Sequence, residues 1–375
     1  MRVCTLRHDG RTGWRSDGVD VAGAQLVIWF GAYGQVSSPA VFGELKRRFP
    51  DAQIAGCSTN GEIYRGETMD GESVAAAIRF DGTQIRTASI QLDSQGDARR
   101  GGLQLADQLR ADDLKGVFVL TDAFGLNGAA LVEGLIEGLP GDVTITGGMA
   151  GDNATLSSST LAGLNEAPHD GVAVAVGFYG SKVRIGHGVA GGWDPLGPSR
   201  LVTRSEGPVV YEFDGEPALD VYERLVGDAS TPRRMRHPFA FKPHADSAQD
   251  GIREVVGVDR DNKGVIFIDD VPTGWWGQML RGADERLVAG AAVAARRAGL
   301  HEADGHALGL VVSCIGRKWV MGQKIGDETE AVQEESPDTP TIGFYSYGEI
   351  SPHERTGLCT LHHASMSVTL LSEAA

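Results

Sequence analysis

The sequence predicts an α/β (mixed α+β) fold in two domains, with repeated strand-helix-strand-turn-strand units around mixed sheets. At 375 residues, the chain is longer than a typical single domain of about 150 residues. Short apolar runs alternate along it with patterns of helical period. One segment also recurs near the other end of the chain. We place the domain boundary near Gly215, which gives domains at residues 1–215 and 216–375.

Short apolar runs predict the strands in chain order. β-Branched and aromatic residues are common in these runs, and turn residues flank them, which is typical of buried strands. The predicted strands are Ala24–Phe30, Val74–Phe80, Val117–Thr121, Gly171–Phe178, Gly264–Ile268, Leu308–Ser313 and Met366–Leu371.

Helices are predicted where a capping residue precedes an amphipathic stripe. Ser38 precedes Pro39, a residue favoured in the first turn, and an apolar stripe follows. The segment Glu216–Val226 has Pro217 near its start and Gly227 directly after its end. Further helices are predicted after Asn127, over residues 284–298, and behind a capping box at Asp327 and Glu330.

Charge and apolar content limit the classes of partner. Acidic residues exceed basic residues by 50 − 34 = 16, which argues against a nucleic acid or an anionic membrane as the main partner. No apolar run approaches the ~18 residues of a membrane span, and the N-terminus has no signal-peptide core. We therefore expect a cytoplasmic protein without membrane insertion. The separated cysteines favour free thiols over disulfides, a zinc knuckle or c-type haem: Cys4, Cys57, Cys314 and Cys359.

A repeat links the two ends of the chain. Gly-Glu-Ile at 61–63 begins eleven residues after Pro50 (61 − 50), and Gly-Glu-Ile at 348–350 begins eleven residues after Pro337 (348 − 337). Each segment lies between apolar strands, so a duplication predicts that the two regions superpose, with both motifs in equivalent turns. If both motif glycines have positive φ, a β-branched replacement would be strained. A weaker middle copy would place Gly151-Asp152-Asn153 at the same turn.

These motifs resemble the hallmark segments of the FIST family of bacterial sensory proteins. Ala55–Ile63 and Thr146–Asn153 are similar to segments of the FIST N-terminal domain. Ser313–Arg317, Gly343–Pro352 and Leu361-His362-His363 are similar to segments of the FIST C-terminal domain. The two predicted domains would then be a FIST N-terminal-like and a FIST C-terminal-like domain.

The resemblance implies a non-enzymatic sensory module that binds a small ligand, with amino acids as a proposed class. Some similar proteins bind haem b, sense nitric oxide and regulate a histidine kinase or a cyclic-di-GMP enzyme. The family usually has Leu-His-Asn where this chain has Leu361-His362-His363, so no family role carries over to His363. No output domain is recognisable in the sequence, so we expect the signal to pass to a separate partner.

Charged residues at predicted strand ends are the first candidates for ligand binding. Glu62, Asp152 and Glu349 follow glycines in turns, where a carboxylate suits a ligand ammonium group. The alternative is that each carboxylate caps its turn through backbone N–H groups. Arg317 suits a ligand carboxylate, and its alternative is an internal ion pair with Glu349 or Glu62. An Arg and a Glu together would suit a zwitterion.

The histidines are candidates for haem rather than zinc. His362 and His363 are adjacent, so on a strand they face opposite sides and cannot both bind one ion. Haem needs one axial histidine or cysteine in an apolar pocket, and His362 is our first candidate for it. His187, His237 and His363 are further candidates, although a lone histidine is more often structural.

The segment Gly56–Gly61 leaves an enzyme alternative open, because it holds Cys57 and Ser58 side by side. A Cys- or Ser-dependent hydrolase of small amides or esters would use one of them as nucleophile. Asn60 stands where the Gly-x-Ser-x-Gly elbow has its second glycine, and spacing identifies no base. We therefore prefer the sensor, with Glu62, Asp152, Arg317, Glu349 and His362 as the predicted ligand-binding residues.

Overall fold

The computed structural model describes residues 1–17, 21–92, 97–156, 159–227, 237–247, 251–303, 306–354 and 356–374. Within them the chain forms strands β1 to β27 and helices α1 to α8, which confirms the mixed α/β class. The strands up to the middle of the chain are β1 Arg2–His8, β2 Trp14–Ser16, β3 Leu26–Gly31, β4 Gln53–Ser58, β5 Glu62–Tyr64, β6 Glu67–Met69, β7 Ser73–Arg79, β8 Gln84–Gln91, β9 Leu114–Thr121, β10 Thr144–Met149, β11 Ala162–Leu164, β12 Val172–Tyr179 and β13 Val183–Ala190.

The second half of the chain contains strands β14 to β27, and eight helices lie along the whole described chain. The other strands are β14 Trp193–Pro195, β15 Arg200–Glu206, β16 Val209–Phe213, β17 Glu216–Pro217, β18 Phe239–Lys242, β19 Gly251–Arg253, β20 Val255–Asp259, β21 Gly264–Phe267, β22 Trp276–Gly282, β23 Leu308–Cys314, β24 Thr341–Ser346, β25 Gly348–Pro352, β26 Cys359–His362 and β27 Met366–Glu373. The helices are α1 Tyr33–Val36, α2 Pro39–Arg48, α3 Ala98–Leu109, α4 Gly128–Gly138, α5 Ala218–Val226, α6 Asp284–Arg297, α7 Ile315–Met321 and α8 Ile325–Glu334, and short 3-10 turns lie at Leu300–Glu302 and Gly322–Lys324.

The predicted strands are confirmed with small shifts of their ends, whereas two predicted helix starts are wrong. Asn127 caps α4, since a backbone N–H of that helix donates to its side chain at 3.0 Å. Ser38 precedes α2 as predicted but makes no side-chain capping bond. Glu216 pairs in β17, so α5 begins after it. Asp327 lies inside α8 because a 3-10 turn ending at Lys324 leads directly into that helix.

Three units share one strand arrangement, which confirms the predicted repeat and its middle copy. In each unit the first strand pairs parallel with the second and antiparallel with the third. Unit 1 contains β3, β4 and β7, unit 2 contains β9, β10 and β12, and unit 3 contains β23, β24 and β27. Helices on the outer faces connect first to second strands, as parallel pairing requires.

Each unit donates a short strand to the sheet of another unit. Unit 1 donates β5 to unit 3, unit 3 donates β25 to unit 2, and unit 2 donates β11 to unit 1. The three pairings have one register: Glu62 opposite Phe344, Glu349 opposite Gly148, and Ala162 opposite Cys57. The exchange closes a ring of three six-stranded sheets. Glu62 and Glu349 are therefore structurally equivalent, and the equivalent residue of unit 2 is Ala162 rather than the predicted Asp152.

Backbone hydrogen bonds between the turns close the same ring. The three bonds are Asn60 N to Tyr345 O at 2.9 Å, Gly151 N to Ser58 O at 2.8 Å, and Tyr347 N to Met149 O at 3.3 Å. The inner faces of the sheets meet in one apolar core, to which Ile28, Phe118 and Leu310 contribute from the three first strands. Outer faces pack on helices, as Trp29 does in unit 1.

Glycine is required at one equivalent position of each second strand. A Cβ at Gly56 would lie 2.8 Å from the carbonyl oxygen of Trp29, and one at Gly343 would lie 1.9 Å from that of Val311. The condition of positive φ is met at only one of the two motif glycines. Gly61 has φ of +127°, whereas Gly348 does not fall in that region and is instead packed against neighbouring side chains.

A nine-stranded sheet formed by strands β14 to β22 packs with α5 around an aromatic core of its own. It follows β13 in the chain and precedes α6, so it separates β13, an edge strand of the unit 3 sheet, from the first strand of unit 3. Strands from both sides of the predicted boundary at Gly215 share sheets in the ring, as β5 and β24 do. None of the helices in the described residues has the length and apolar character needed to cross a bilayer.

Candidate functional site

Glu62 and Glu349 are buried at equivalent turns and bonded within the protein. Glu62 accepts hydrogen bonds from the Thr59 hydroxyl at 2.5 Å and from the Glu72 backbone N–H at 3.1 Å. Glu349 accepts bonds from the Ser346 hydroxyl at 2.6 Å and from the N–H and hydroxyl of Ser365. Burial raises the pKa of each carboxyl to about 7. Each carboxylate therefore fixes the turn that enters the third strand of its unit.

Asp152 lies on the loop that unit 2 inserts before β11. Its side chain accepts hydrogen bonds from the Tyr347 hydroxyl at 2.5 Å and from the Thr155 backbone at 3.1 Å. Asn60 holds the same loop, because its side-chain oxygen accepts bonds from the backbone of Asp152 at 2.9 Å and of Ala154 at 2.8 Å. Asp152 thus joins the corners of the three units.

Arg317 is fully buried, and its partner is neither Glu349 nor Glu62. Its Nε donates to Glu328 Oε2 at 2.9 Å, while its other nitrogens donate to the carbonyl oxygens of Gly191 and Leu287. These contacts tie α7 and α8 to the segment that leads into the nine-stranded sheet. The structure does not bring Arg317, Glu62 and Glu349 together around one cleft.

A cleft of about 1050 Å³ lies between the ring and the nine-stranded sheet. Its walls are α4, the segment after β13, strands β18, β19 and β22, and the hairpin of β25 and β26. Charged and titratable side chains line it on both sides: His353, His362 and His363 on the hairpin side and Arg253, Asp269 and Asp270 on the other side. Its volume is at the upper end of the range of about 300 to 1,000 Å³ that is typical of small-molecule sites.

His363 is the most unusual side chain in this cleft. It is only 5% exposed, and its Nε2 lies 3.0 Å from Oδ2 of Asp269, whose side chain is 40% exposed. Neither ring nitrogen has a hydrogen bond of good geometry among the described residues, and Nδ1 has no ion-pair contact there either. Burial alone would lower the pKa of His363, but the contact with Asp269 and the nearby Glu254 and Glu349 raise it. The contact with Asp269 therefore favours the imidazolium form of the side chain.

Two buried carboxyl groups lie behind His363. Glu254 accepts a hydrogen bond from the Cys314 thiol at 3.4 Å, and Glu349 is bonded to Ser365 as described above. Burial raises the pKa of Glu254, as it does that of Glu349. Burial also raises the pKa of Cys314 well above its usual range, so this thiol stays protonated. His363 thus separates the open cleft from a buried acidic layer.

His362 does not fit as an axial haem ligand. Its Nε2 lies 2.9 Å from the carbonyl oxygen of Ser351, and its ring stacks on that of His353 at 6.0 Å. Burial lowers the pKa of His362 to about 4, so the ring is neutral. Charged side chains such as Arg253 and Asp270 line the same cleft, whereas haem requires an apolar pocket.

The alternative nucleophiles lie outside the cleft. Cys57 is fully buried in β4, and burial raises the pKa of its thiol well above the usual range. The hydroxyl of Ser58 donates to the Gly151 carbonyl oxygen at 2.5 Å, and neither residue contacts a histidine in the described structure. Of the residues that the structure describes, no group of three or more His, Cys, Asp or Glu side chains is arranged to hold a metal ion.

Sequence reasoning missed Asp269 and Glu254 and considered His363 only as a further candidate for the axial haem ligand. Asp269 lies in a loop after β21, and Glu254 is a single residue between β19 and β20. Neither belongs to a motif, so no spacing could point to them. The one available signal was the second histidine of Leu361-His362-His363, which departs from the usual family pattern.

Known proteins resemble the chain over most of its length. The FIST N domain matches residues 25–216, and the FIST C domain matches residues 218–352. An uncharacterized protein of Mycobacterium tuberculosis is 24% identical over 339 residues, which are 85% of this chain and 83% of that protein. An uncharacterized protein of Methanocaldococcus jannaschii is 25% identical over 197 residues, which are 50% of this chain. The chain spans only 38% of the length of that relative.

One solved structure is similar at low level across nearly the full length. Cyanuric acid hydrolase from A. caulinodans has a TM-score of 0.30 and 10% sequence identity, with 93% of this chain and 90% of that chain covered.

Proposed function

The chain belongs to the FIST family of sensory domains, which bind small ligands, and on this premise we propose that it binds an amino acid-like ligand in the cleft beside His363. The observation that carries the proposal is the buried His363 ring on the cleft wall, whose Nε2 lies beside Asp269 and whose Nδ1 has neither a hydrogen bond nor an ion pair among the described residues. Buried polar groups are nearly always hydrogen-bonded in folded proteins. A ligand atom would provide the missing hydrogen-bond partner of the His363 ring.

The cleft supports a zwitterion because it offers both signs of charge. His363 and Arg253 suit a carboxylate, while Asp269 and Asp270 suit an ammonium group. Apolar residues of α4, such as Val132 and Ile136, line the same space and suit an uncharged side chain.

The site also has a physical connection to the ring. Ser365 lines the cleft and donates to Glu349, which fixes the turn at the start of β25. A ligand that moves the hairpin of β25 and β26 would therefore change the surface of unit 2, where β25 pairs with β10. We propose that a separate signalling protein, such as a histidine kinase or a cyclic-di-GMP enzyme, senses this change.

Calorimetric titration with a panel of amino acids tests the proposal. At least one member should bind stoichiometrically and be recovered unchanged. His363→Gln should weaken that binding about tenfold or more, because a charge-assisted contact of roughly 1 to 3 kcal/mol is lost. The matched control is His169→Gln, a half-buried histidine outside the cleft whose side chain is 44% exposed.

Two results would overturn the proposal. Absence of binding across the panel would reject the amino acid-like ligand. Steady conversion of a small amide or ester by the wild type would favour the hydrolase instead.

A further inference from the structure

We infer that His363 is the anion-binding residue of the cleft, and that its Nδ1–H receives the carboxylate of the ligand. The inference deepens the proposed function and rests on it for the identity of the ligand. Its own basis is the geometry around one buried ring. Nδ1 has no partner among the described residues, and the ring lies on the wall of an open cleft.

The neighbours of His363 determine which ligand atom suits Nδ1. Nε2 faces the carboxylate of Asp269 on the loop after β21. Glu254 faces the ring from between β19 and β20, Glu349 faces it from β25, and His362 precedes it in the chain. An imidazolium carries an N–H on both nitrogens, so Nδ1 can only donate. Its partner must therefore be an acceptor, and an anionic oxygen forms the strongest such bond.

The acidic layer behind the ring does not prevent anion binding near neutral pH. Burial raises the pKa of Glu349 to about 7, so a proton neutralises part of its charge near neutral pH, and burial shifts the pKa of Glu254 in the same direction. Cys314 stays neutral, and Arg253 on the other side of Asp269 adds a positive charge. As the pH rises through about 7, Glu349 ionises, and the added negative charge should weaken anion binding.

The backbone holds the ring in place before any ligand arrives. Ala364, directly after His363, has φ of +57°, a conformation that is uncommon for a non-glycine residue. Its carbonyl oxygen accepts a hydrogen bond from Trp193 Nε1 at 2.5 Å, and Ser365 is bonded to Glu349. Both sides of the histidine are thus fixed, which reduces the ordering cost of binding.

Nuclear magnetic resonance of the full chain labelled with ¹⁵N-histidine tests the inference, with acetate as the probe. Acetate should shift the Nδ1 resonance of His363 in a saturable manner, while methylammonium at equal ionic strength should not. His363→Gln identifies the resonance, and Asp269→Asn should weaken acetate binding at least several-fold. Between about pH 6 and pH 8.5, acetate affinity should fall, and Glu349→Gln should reduce that fall.

Equal shifts with acetate and methylammonium would overturn the inference, as would a His363 resonance that acetate leaves unchanged. The failure of the proposed function looks different. If acetate shifts Nδ1 but no amino acid binds, the anion-binding role stands and the amino acid-like ligand does not. If an amino acid and its decarboxylated amine bind equally well, the cleft remains a ligand site and His363 loses its role.

Discussion

Glu62 and Glu349 occupy the same position in units 1 and 3, yet only one of them lies beside the cleft. Each carboxylate accepts a hydrogen bond from a hydroxyl three residues earlier in the chain. Each also accepts one from the backbone N–H of the residue directly before the third strand of its unit. Their surroundings then diverge. Lys318 and Asp70 are the charged neighbours of Glu62, whereas His363 and Glu254 are those of Glu349.

This difference distinguishes the features that the repeated units share from those that other elements provide. The buried carboxylate and its turn belong to the repeat, since two units share them in one register. The charged side chains proposed for ligand binding come from other elements: His363 directly follows β26, and Arg253 and Asp269 belong to the nine-stranded sheet and its loops. A motif that recurs for structural reasons is thus a poor guide to the ligand, and its neighbours are a better one.

The largest effect should follow from breaking the buried ion pair of unit 3. Arg317→Ala should lower the free energy of unfolding by about 3 to 5 kcal/mol, because it leaves Glu328 buried and uncompensated. Urea unfolding would measure this loss. Lys324→Ala, which removes an exposed partner of Asp284, is the control and should cost less than about 1 kcal/mol. Similar losses in the two variants would contradict the assignment of Arg317 as a structural residue.

The pH dependence of stability should be the same for both equivalent carboxyls. Each folded-state pKa is about 7, above the ordinary value of 4.5, so the contribution to stability is complete below about pH 4.5 and is lost as the pH rises through 7. The loss should be about 3 kcal/mol for each carboxyl. Glu62→Gln and Glu349→Gln should each remove one such loss from urea unfolding measured as a function of pH. An effect of only one variant would break the equivalence.

Adding one methyl group tests the close approach of first and second strands. Gly343→Ala should cost about 1 to 3 kcal/mol, because its Cβ would collide with the carbonyl oxygen of Val311. Gly326→Ala is the matched control, since its Cβ would meet no atom within 4 Å. In the helical context of Gly326, alanine should be neutral or stabilising. Thermal melts of both variants would compare them, and equal melting temperatures would refute the packing argument.

The smallest expected effect comes from the two hydroxyl groups that donate to the equivalent carboxylates. Thr59→Val and Ser346→Ala each remove the hydroxyl that donates to the equivalent carboxylate, at a cost of about 1 kcal/mol. Stability should change alike in both. Only Ser346→Ala should also change the pH dependence of acetate binding, because only Glu349 neighbours His363. A change of acetate binding in Thr59→Val would show that the two turns are not functionally distinct.

Local sequence signals predicted the elements well, but they could not predict how distant elements combine. Leu26–Gly31 and Leu308–Cys314 were recognisable because buried strands are continuous apolar runs. The three-way exchange of short strands could not be recognised from the sequence, because the pairing of β5 with β24 depends on tertiary packing rather than on local residues. The partner of Arg317 was missed for the same reason. Its glutamate lies on α8, eleven residues away along the chain (328 − 317).

The exchange of strands has a consequence for synthesis on the ribosome. Ile63 and its partner Gly343 are 343 − 63 = 280 residues apart. At typical elongation of about 5 to 20 residues per second, β5 is made roughly 15 to 60 s before its partner exists. During that time one edge of β5 has no partner, although its other edge can pair with β6, and an open strand edge with apolar residues favours aggregation. Productive expression should therefore depend on chaperones that shield the first unit until the last one emerges.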